Sequence, residues 1–462
     1  MDRIPRVIDL VVNYDTCIGC GLCTYSCPNK ALNMEWNEYG FLIPTQTGIC
    51  ESDGSCLDVC PFNPFPEKEV QTENKLSDLY LKDAKLYHPK VGRYNSIYAG
   101  YATEFRDTSS SGGLATFVMA DLLDRGIISY VFSVKESSLP EVHYEYSISK
   151  NRQELLAASK TKYYPVTLST VFSELDKLEG KIAVVGVACF IKAVRLTQYS
   201  NPSLKEKIPF LIGIICGGVK SRFFTEYLAS KVGVTKLLCN KPEFRIKDIC
   251  STASDYSFGC IDCYDNKGKK LKMTTIGDMW GTGLFKANAC DFCDDVTTEL
   301  ADISLGDAWL QPYVNDGKGT NICVTRSLLA EVIIKDGITS GKLHMEDLSL
   351  DRFLLSQKGS FNHRHKGIAF RIRRATQKHQ LVPPKRYGEQ KTSFDFKLVQ
   401  LSRMSIRKKS LTIWKETSDA ALFDKKMMRS LLILAKVTHL YHYKEALFRK
   451  IKKIFRLVVA SE

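Results

Sequence analysis

From about residue 95 onward the chain alternates short apolar runs with amphipathic stretches. NSIYAGYAT (95–103), IISYVFSV (127–134), the apolar end of FSELDKLEGKIAVVGVACF (172–190) and IPFLIGIICGGV (208–219) read as strands. Apolar residues at consecutive positions, rather than at every second one, predict strands covered on both faces. TSSSGGLATFVMADLLDRG (108–126) predicts a serine/glycine loop feeding an amphipathic helix, and ELADISLGDAW (299–309) and TNICVTRSLL (320–329) predict two late strands. The beginning of the chain has another rhythm. NMEWNEYGFLIP alternates around a Tyr39-Gly40 turn and predicts a small hairpin. PFNPFPEKEVQTENKLSDLYLKD, rich in proline and charge, predicts a linker entering a short helix. After about 330 come helical stretches, a break at VPPKRYGEQK, and a last segment (427–459) with lysines and arginines set between Leu, Ile and Phe at helical spacing. The predicted organisation is a compact module at 1–67, a linker at 68–94, a sheet-containing domain in two parts at 95–180 and 181–330, and a basic helical extension at 331–462.

Charge sharpens this division. The net charge is +14, yet residues 364–462 alone hold 25 Lys and Arg against 7 Asp and Glu, so the rest of the chain is slightly acidic. The basic character belongs to the extension. That excludes nucleic acid as the main substrate and points to a tail with its own contacts: the core, an acidic protein partner, or an anionic membrane surface. MDRIPRVIDLVVNYD lacks the apolar segment of a secretion signal, and no apolar run reaches the roughly 18 residues of a spanning helix. The expected location is the cytoplasm, with the inner membrane surface as a possible site of peripheral attachment.

The 16 cysteines carry the chemistry. CIGCGLCTYSCP places Cys17, Cys20, Cys23, Cys27 and Pro28 in the C-x₂-C-x₂-C-x₃-C-P pattern of a bacterial iron–sulfur run. CESDGSCLDVCP repeats it with Cys50, Cys56, Cys60 and Pro61, but Asp53 stands at the second position. A zinc site closes with four ligands and does not use a doubled run. The pair of runs resembles a two-cluster ferredoxin. In that fold the fourth cysteine of each run serves the other cluster, so the resemblance implies one set of Cys17, Cys20, Cys23 and Cys60 and another of Cys50, Asp53, Cys56 and Cys27. Carboxylate binds iron more loosely than thiolate, so the second set implies either a four-iron cluster with an oxygen ligand or a three-iron cluster. Loss of that cluster is the plainer alternative.

Further along, Cys189 is expected in the loop beyond the strand ending at Gly186, Cys216 ends the next strand before two glycines, and Cys290 and Cys293 form a C-x₂-C pair. Together they supply the four ligands of one more cluster, and strand ends are where α/β folds place ligands. The order GGLATFVMADLLDRGII, KTKYYPV, VVGVACFIKAVR, IICGGVKSRFF and C-x₂-C before ELADISLGDAW resembles the coenzyme F420 hydrogenase/dehydrogenase beta-subunit family, over roughly residues 1–330 with the ferredoxin module included. The resemblance implies an α+β multidomain protein: a bacterial-type ferredoxin module, an α/β flavin and iron–sulfur domain, and the basic helical segment. It implies a third [4Fe-4S] cluster on Cys189, Cys216, Cys290 and Cys293. It also implies FAD, with Ser110, Ser111, Gly112 and Gly113 at its phosphates and Lys162 and Gly186 nearby. The implied activity takes electrons from a low-potential donor such as ferredoxin, through the clusters and the flavin, to a small organic substrate. Similar bacterial chains are encoded among polysaccharide-synthesis genes, which extends the implied substrates to glycan precursors. Val187, Ala188, Phe190 and Gly217 depart from the family pattern where flavin or substrate contacts fall, so use of coenzyme F420 itself is not implied. An electron-transfer subunit of a larger hydrogenase or dehydrogenase complex, or a scaffold with a degenerate site, are the rival readings.

Cys260 and Cys263 form another C-x₂-C, but on a predicted hairpin. Cys239, Cys250 and Cys323 read as core, and His143, His363 and His365 as surface or linker residues. No G-x-G-x-x-G follows a strand, so a nicotinamide site is not supported.

Overall fold

The computed structural model describes residues 3–51, 53–139, 141–388 and 390–459, with side chains to Ile451. The N-terminal module is built on one hairpin, β1 (Leu32–Trp36) against β2 (Leu42–Gln46), with a cysteine run before and after it. Short helices Leu22–Ser26 and Ser55–Asp58 carry Cys23 and Cys56. The stretch expected to be a linker entering a short helix forms that helix, Glu73–Tyr80, and beyond the expectation adds the pair β3 (Leu86–His88) and β4 (Gly92–Tyr94), because Val70, Leu76, Leu81, Val91 and Tyr94 are all buried.

The central element is a mixed sheet of eight strands among the described residues. These are β5 (Ser96–Ala102), β6 (Tyr130–Glu136), β7 (Tyr144–Ser149), β8 (Ile182–Val187), β9 (Phe210–Ile214), β13 (Ile303–Asp307), β14 (Asn321–Thr325) and β15 (Leu343–Asp347), in the order β15-β5-β14-β13-β9-β8-β6-β7. β13, β9, β8 and β6 are mutually parallel. β5 is antiparallel to β14, which is antiparallel to β13, so β5 shares their direction. Five C-terminal strand ends therefore lie along one edge of the sheet. β10 (Cys239–Ile246), β11 (Ser257–Asp262) and β12 (Lys267–Lys272) form a separate antiparallel sheet. The predicted strands of 95–103, 127–134, 208–219, 299–309 and 320–329 all form. β15 was not expected: it is a short edge strand with only Leu343 buried, so its pattern carries little signal.

One apolar core joins the module to the sheet. Val11, Leu22, Leu57 and Phe62 pack in the same cluster as Phe132, Phe172, Val184 and Ile191. The contact is polar as well: Leu168 N donates to Cys20 O at 2.9 Å, and the hydroxyls of Thr24 and Ser169 are 2.7 Å apart. Gly21, at φ +83°, makes this approach possible, since a Cβ there would lie 2.0 Å from Thr167 Oγ1.

The C-terminal extension ends in two long helices, Phe394–Thr417 and Ala420–Val459, turned back on each other at Ser418. Trp414 and Phe423 are buried against Phe285 and Tyr227, so this hairpin packs on the core through an aromatic cluster. No described helix is long and apolar enough to cross a membrane.

Candidate functional site: three cysteine sets and the strand-end edge

The fold draws twelve predicted ligands into three groups. Cys23 and Cys60 are held well above the usual thiol range, first by burial and then by their neighbours Cys17 and Cys20. Burial pushes Cys17 up to about 12 and Cys20 to about 11. Metal-free, these thiols stay protonated, and a thiophilic metal binds by displacing their protons. Cys56 is raised by burial and then by Cys27, Cys50 and Asp53, and these four line a hollow of about 330 Å³, open mouth included. Cys27 Sγ accepts from Ala31 N at 3.3 Å. Asp53 is exposed, and its Oδ1 accepts from Ser55 N at 3.2 Å and Ser55 Oγ at 3.0 Å.

The third group forms at the strand-end edge. Cys189 lies in the first turn of the helix Ala188–Ser200, not in a loop, directly after β8. Cys216 follows β9, and Cys290 and Cys293 come from the segment before β13. Burial raises Cys189, followed by Cys293, Cys216 and Cys290. All four line one hollow of about 260 Å³, open mouth included. Gly218 N donates to Cys216 Sγ and Val219 N to Cys290 Sγ, each at 3.3 Å. Such N–H···S contacts suit sulfur that carries negative charge. No three His, Cys, Asp or Glu among the described residues close on a single-ion site. The second and third sets instead line wider hollows, and the donors of all three sets are sulfur but for Asp53, which fits iron–sulfur clusters better than zinc.

The groups have a spatial order. Cys56 acts on Cys23 and Cys60, so the set containing Asp53 adjoins the set of Cys17. Cys20 acts on Cys189, and Ile18 and Phe62 of the module wall the third hollow. Tyr146 faces both Cys189 and Cys20 and anchors its hydroxyl on Val185 O at 2.8 Å.

The serine/glycine loop lies at the same edge, after β5. Ser109, Ser110 and Ser111 are buried there, and Ser109 Oγ has no hydrogen-bond partner. Gly113, at φ +81°, opens the helix Leu114–Asp124. An orphan hydroxyl and a glycine entry into a helix N-terminus fit an anionic group such as a diphosphate. Lys162 is a neighbour of this loop, since Thr161 N donates to Ser110 Oγ at 2.9 Å. Its ammonium, however, turns to Ala158 O at 2.5 Å and to Ser159 O, and burial pulls it down to about 7. Gly186 is not brought to the serine loop. It lies in β8, where a Cβ would crowd Phe190 and Ile191 at 3.2 Å, so its role is to let the Cys189 helix close on its strand.

Between the loop and Cys216 runs a series of side chains that the sequence did not single out. Lys247 Nζ donates to Ser111 O at 2.8 Å. Arg245 pairs with Asp307 at 2.6 Å and stacks on Tyr256 at 4.9 Å. Tyr163 meets Trp280 edge-on at 4.7 Å, and a Cβ on Gly217 would touch Trp280 at 3.2 Å. They come from four separate segments, so no local spacing announces them.

The extension supplies the other missed residues. Its segment 358–388 contributes Arg364 to the lining of the third hollow, with Nη1 3.0 Å from Cys293 Sγ. His363 and His365 are not surface or linker residues. His363 Nε2 is 3.0 Å from Lys286 Nζ and 3.6 Å from Asp291, and buried His365 stacks on Tyr387 at 3.9 Å and reaches Asp294 O at 2.8 Å. Cys250, expected in the core, is exposed in the loop after β10. Cys239 and Cys323 are buried as expected. Cys260 is buried against Cys239, whereas Cys263 is exposed at the end of β11, and neither joins a cysteine set.

Two family models describe the N-terminal and C-terminal parts of the beta subunit of coenzyme F420 hydrogenase/dehydrogenase. The N-terminal model matches residues 97–173, and the C-terminal model matches 179–351. A 4Fe-4S dicluster domain matches residues 16–63. The chain is 24% identical over 370 residues to a coenzyme F420-dependent sulfite reductase of Methanocaldococcus jannaschii, covering 74% of this chain and 50% of that protein. It thus spans about half that relative's length. It is 25% identical over 233 residues to a coenzyme F420 hydrogenase subunit beta of Methanococcus voltae, covering 48% of this chain and 77% of that relative. It is 40% identical over 91 residues to a ferredoxin of Pyrobaculum islandicum, covering 20% of this chain and 82% of the ferredoxin.

Proposed function

We propose, for a chain that belongs to the coenzyme F420 hydrogenase/dehydrogenase beta-subunit family and carries a 4Fe-4S dicluster domain, an oxidoreductase that joins single-electron input to hydride chemistry at the strand-end edge. The observation that carries this reading is the convergence of Cys189, Cys216, Cys290 and Cys293 beside Cys20. Those four cysteines would hold a third cluster, and Ser110, Ser111, Gly112 and Gly113 would hold FAD. When bound, such clusters carry single electrons, and the flavin collects two and releases them as a hydride. The chain's own part is to hold, order and shield these groups. Electron input falls at the exposed Asp53 end, where a ferredoxin-type donor would dock. The burial of Cys20, Cys23 and Cys290 keeps water from the inner sets. Tyr163, Tyr256 and Trp280 offer flat apolar faces, and Arg245 a cation, for a small organic substrate, glycan precursors included. The exposed apolar positions Leu432, Leu440, Leu447 and Phe448 on the last helix, among its lysines, are proposed as the contact with an acidic protein partner, with an anionic membrane surface as the alternative.

Anaerobic purification with iron, sulfide and flavin quantitation tests the reading. About eleven to twelve irons and one FAD per chain are expected. About eight irons without flavin would reduce the protein to a ferredoxin module on an inert scaffold. The M. voltae relative is named as part of a hydrogenase, so a second reading is a subunit that hands its electrons to a partner. Turnover of the isolated chain with an artificial donor separates the two.

Asp53 yields a further prediction. Its carboxylate is already engaged by Ser55 and lies in the open, so it should hold iron weakly. The mildly oxidised protein is expected to show a three-iron EPR signal that Asp53→Cys abolishes while adding about one iron. A wild-type protein without that signal and an unchanged iron count in the variant would remove Asp53 from the ligand set.

A further inference from the structure

Arg364 is 4% exposed and comes from the extension, beyond the residues that match the family models. It lies in Asn362–Lys366, a single π-helical turn of the kind that recurs at functional sites. Its Nη1 donates to Cys293 Sγ at 3.0 Å and to Asp295 O at 2.5 Å, and its Nη2 to Cys216 O at 2.6 Å. It also lines the hollow shared by the four cysteines. The guanidinium is thus fixed by two carbonyls and aimed at a ligand sulfur from a dry site.

Carbonyl dipoles alone are a poor exchange for the hydration of a buried cation. Cysteines deprotonated by a bound metal would supply the missing negative charge. Two other cations also act on these sulfurs, Lys385 on Cys293 and Lys286 on Cys290, but each is paired with a carboxylate, Lys385 with Asp294 at 3.4 Å and Lys286 with Asp291 at 2.8 Å. Arg386 is bidentate to Glu299 and leaves the sulfurs alone.

We infer that Arg364 is a tuning residue for the third cysteine set, where its fixed positive charge and N–H···S contact make the metal group held there easier to reduce. The inference rests on the proposed third cluster. One-electron reduction would make a cluster held there more negative by one charge, and a cation held in low dielectric would favour that form. Hydrogen bonds to cluster sulfur raise the potential in the same direction. Because the contact spans segments that carry Cys216 and Cys293, Arg364 also has a bracing role. A potential separates the two roles, since bracing alone leaves it unmoved.

The test is an anaerobic potentiometric EPR titration of wild type, Arg364→Gln and Arg364→Lys, with iron content and thermal unfolding measured on each. In Arg364→Gln the third cluster's reduced-to-oxidised ratio at a fixed potential is expected to fall about tenfold, a shift of about 59 mV to the negative for one electron. The signals of the N-terminal module stay in place and serve as an internal control. Arg364→Lys keeps a charge but cannot reach all three acceptors, so it should shift the same way by less. It decides the matter if the glutamine variant does not load iron. A wild-type midpoint in an iron-replete variant would overturn the inference. A wild-type protein without a third cluster would instead overturn the reading beneath it.

Discussion

Arg386→Met is expected to destabilise the protein by about 3–5 kcal/mol, because it leaves buried carboxylates without their cation. Arg386 Nη1 lies 2.6 Å from Glu299, and its Nε is 3.3 Å from Asp294 and 3.7 Å from Glu73. The three acidic side chains are 1%, 0% and 5% exposed. Lys385 and Lys192 remain near Asp294 and Glu73, but the bidentate partner of Glu299 is gone. Urea unfolding of the anaerobic holoprotein reads the effect as a lowered midpoint. Arg386→Met with Glu299→Gln should recover part of the loss, since a neutral amide needs no counterion. A single variant within about 0.5 kcal/mol of wild type would place Arg386 among ordinary surface arginines.

The same residue shows where sequence reading stops. The cysteine runs were legible because four ligands within a few residues of each other, with a proline behind them, impose their chemistry locally. The strand-end cysteines were legible because buried strands announce their own ends, and the parallel order of β13, β9, β8 and β6 then sets those ends side by side. Arg386 and Glu299 are 87 residues apart, and Arg364 and Cys293 are 71 apart. Nothing in the spacing of either pair marks it, and a basic segment read alone looks like a solvated tail. His363 and His365 were misplaced for the same reason, since their partners Lys286, Asp291 and Asp294 come from a distant part of the chain. Lys162 shows a different limit: it follows Thr161 beside the serine loop, but that the carbonyls of Ala158 and Ser159 hold its ammonium is legible only in the structure.

Cys189→Ser is expected to stop electron delivery to the strand-end edge while sparing the module that receives the electrons. On the proposed relay, Cys189 is the third set's link to Cys20, so losing it removes about four irons and the third EPR signal. The hydroxyl is a harder, weaker donor for iron than thiolate. The serine/glycine loop is at the other end of the strand series, so flavin content should hold. Reduction of that flavin by a reduced ferredoxin should fall to background, although the two N-terminal signals still appear. A destabilised core would look different: it would lower flavin, thermal stability and all the signals together, because Phe190 and Ile191 beside Cys189 pack in the core shared with the module. The variant therefore tells a cut wire from a damaged fold. If it keeps full iron and normal flavin reduction, Cys189 is not a ligand, and the electrons would have to reach the edge without the third set.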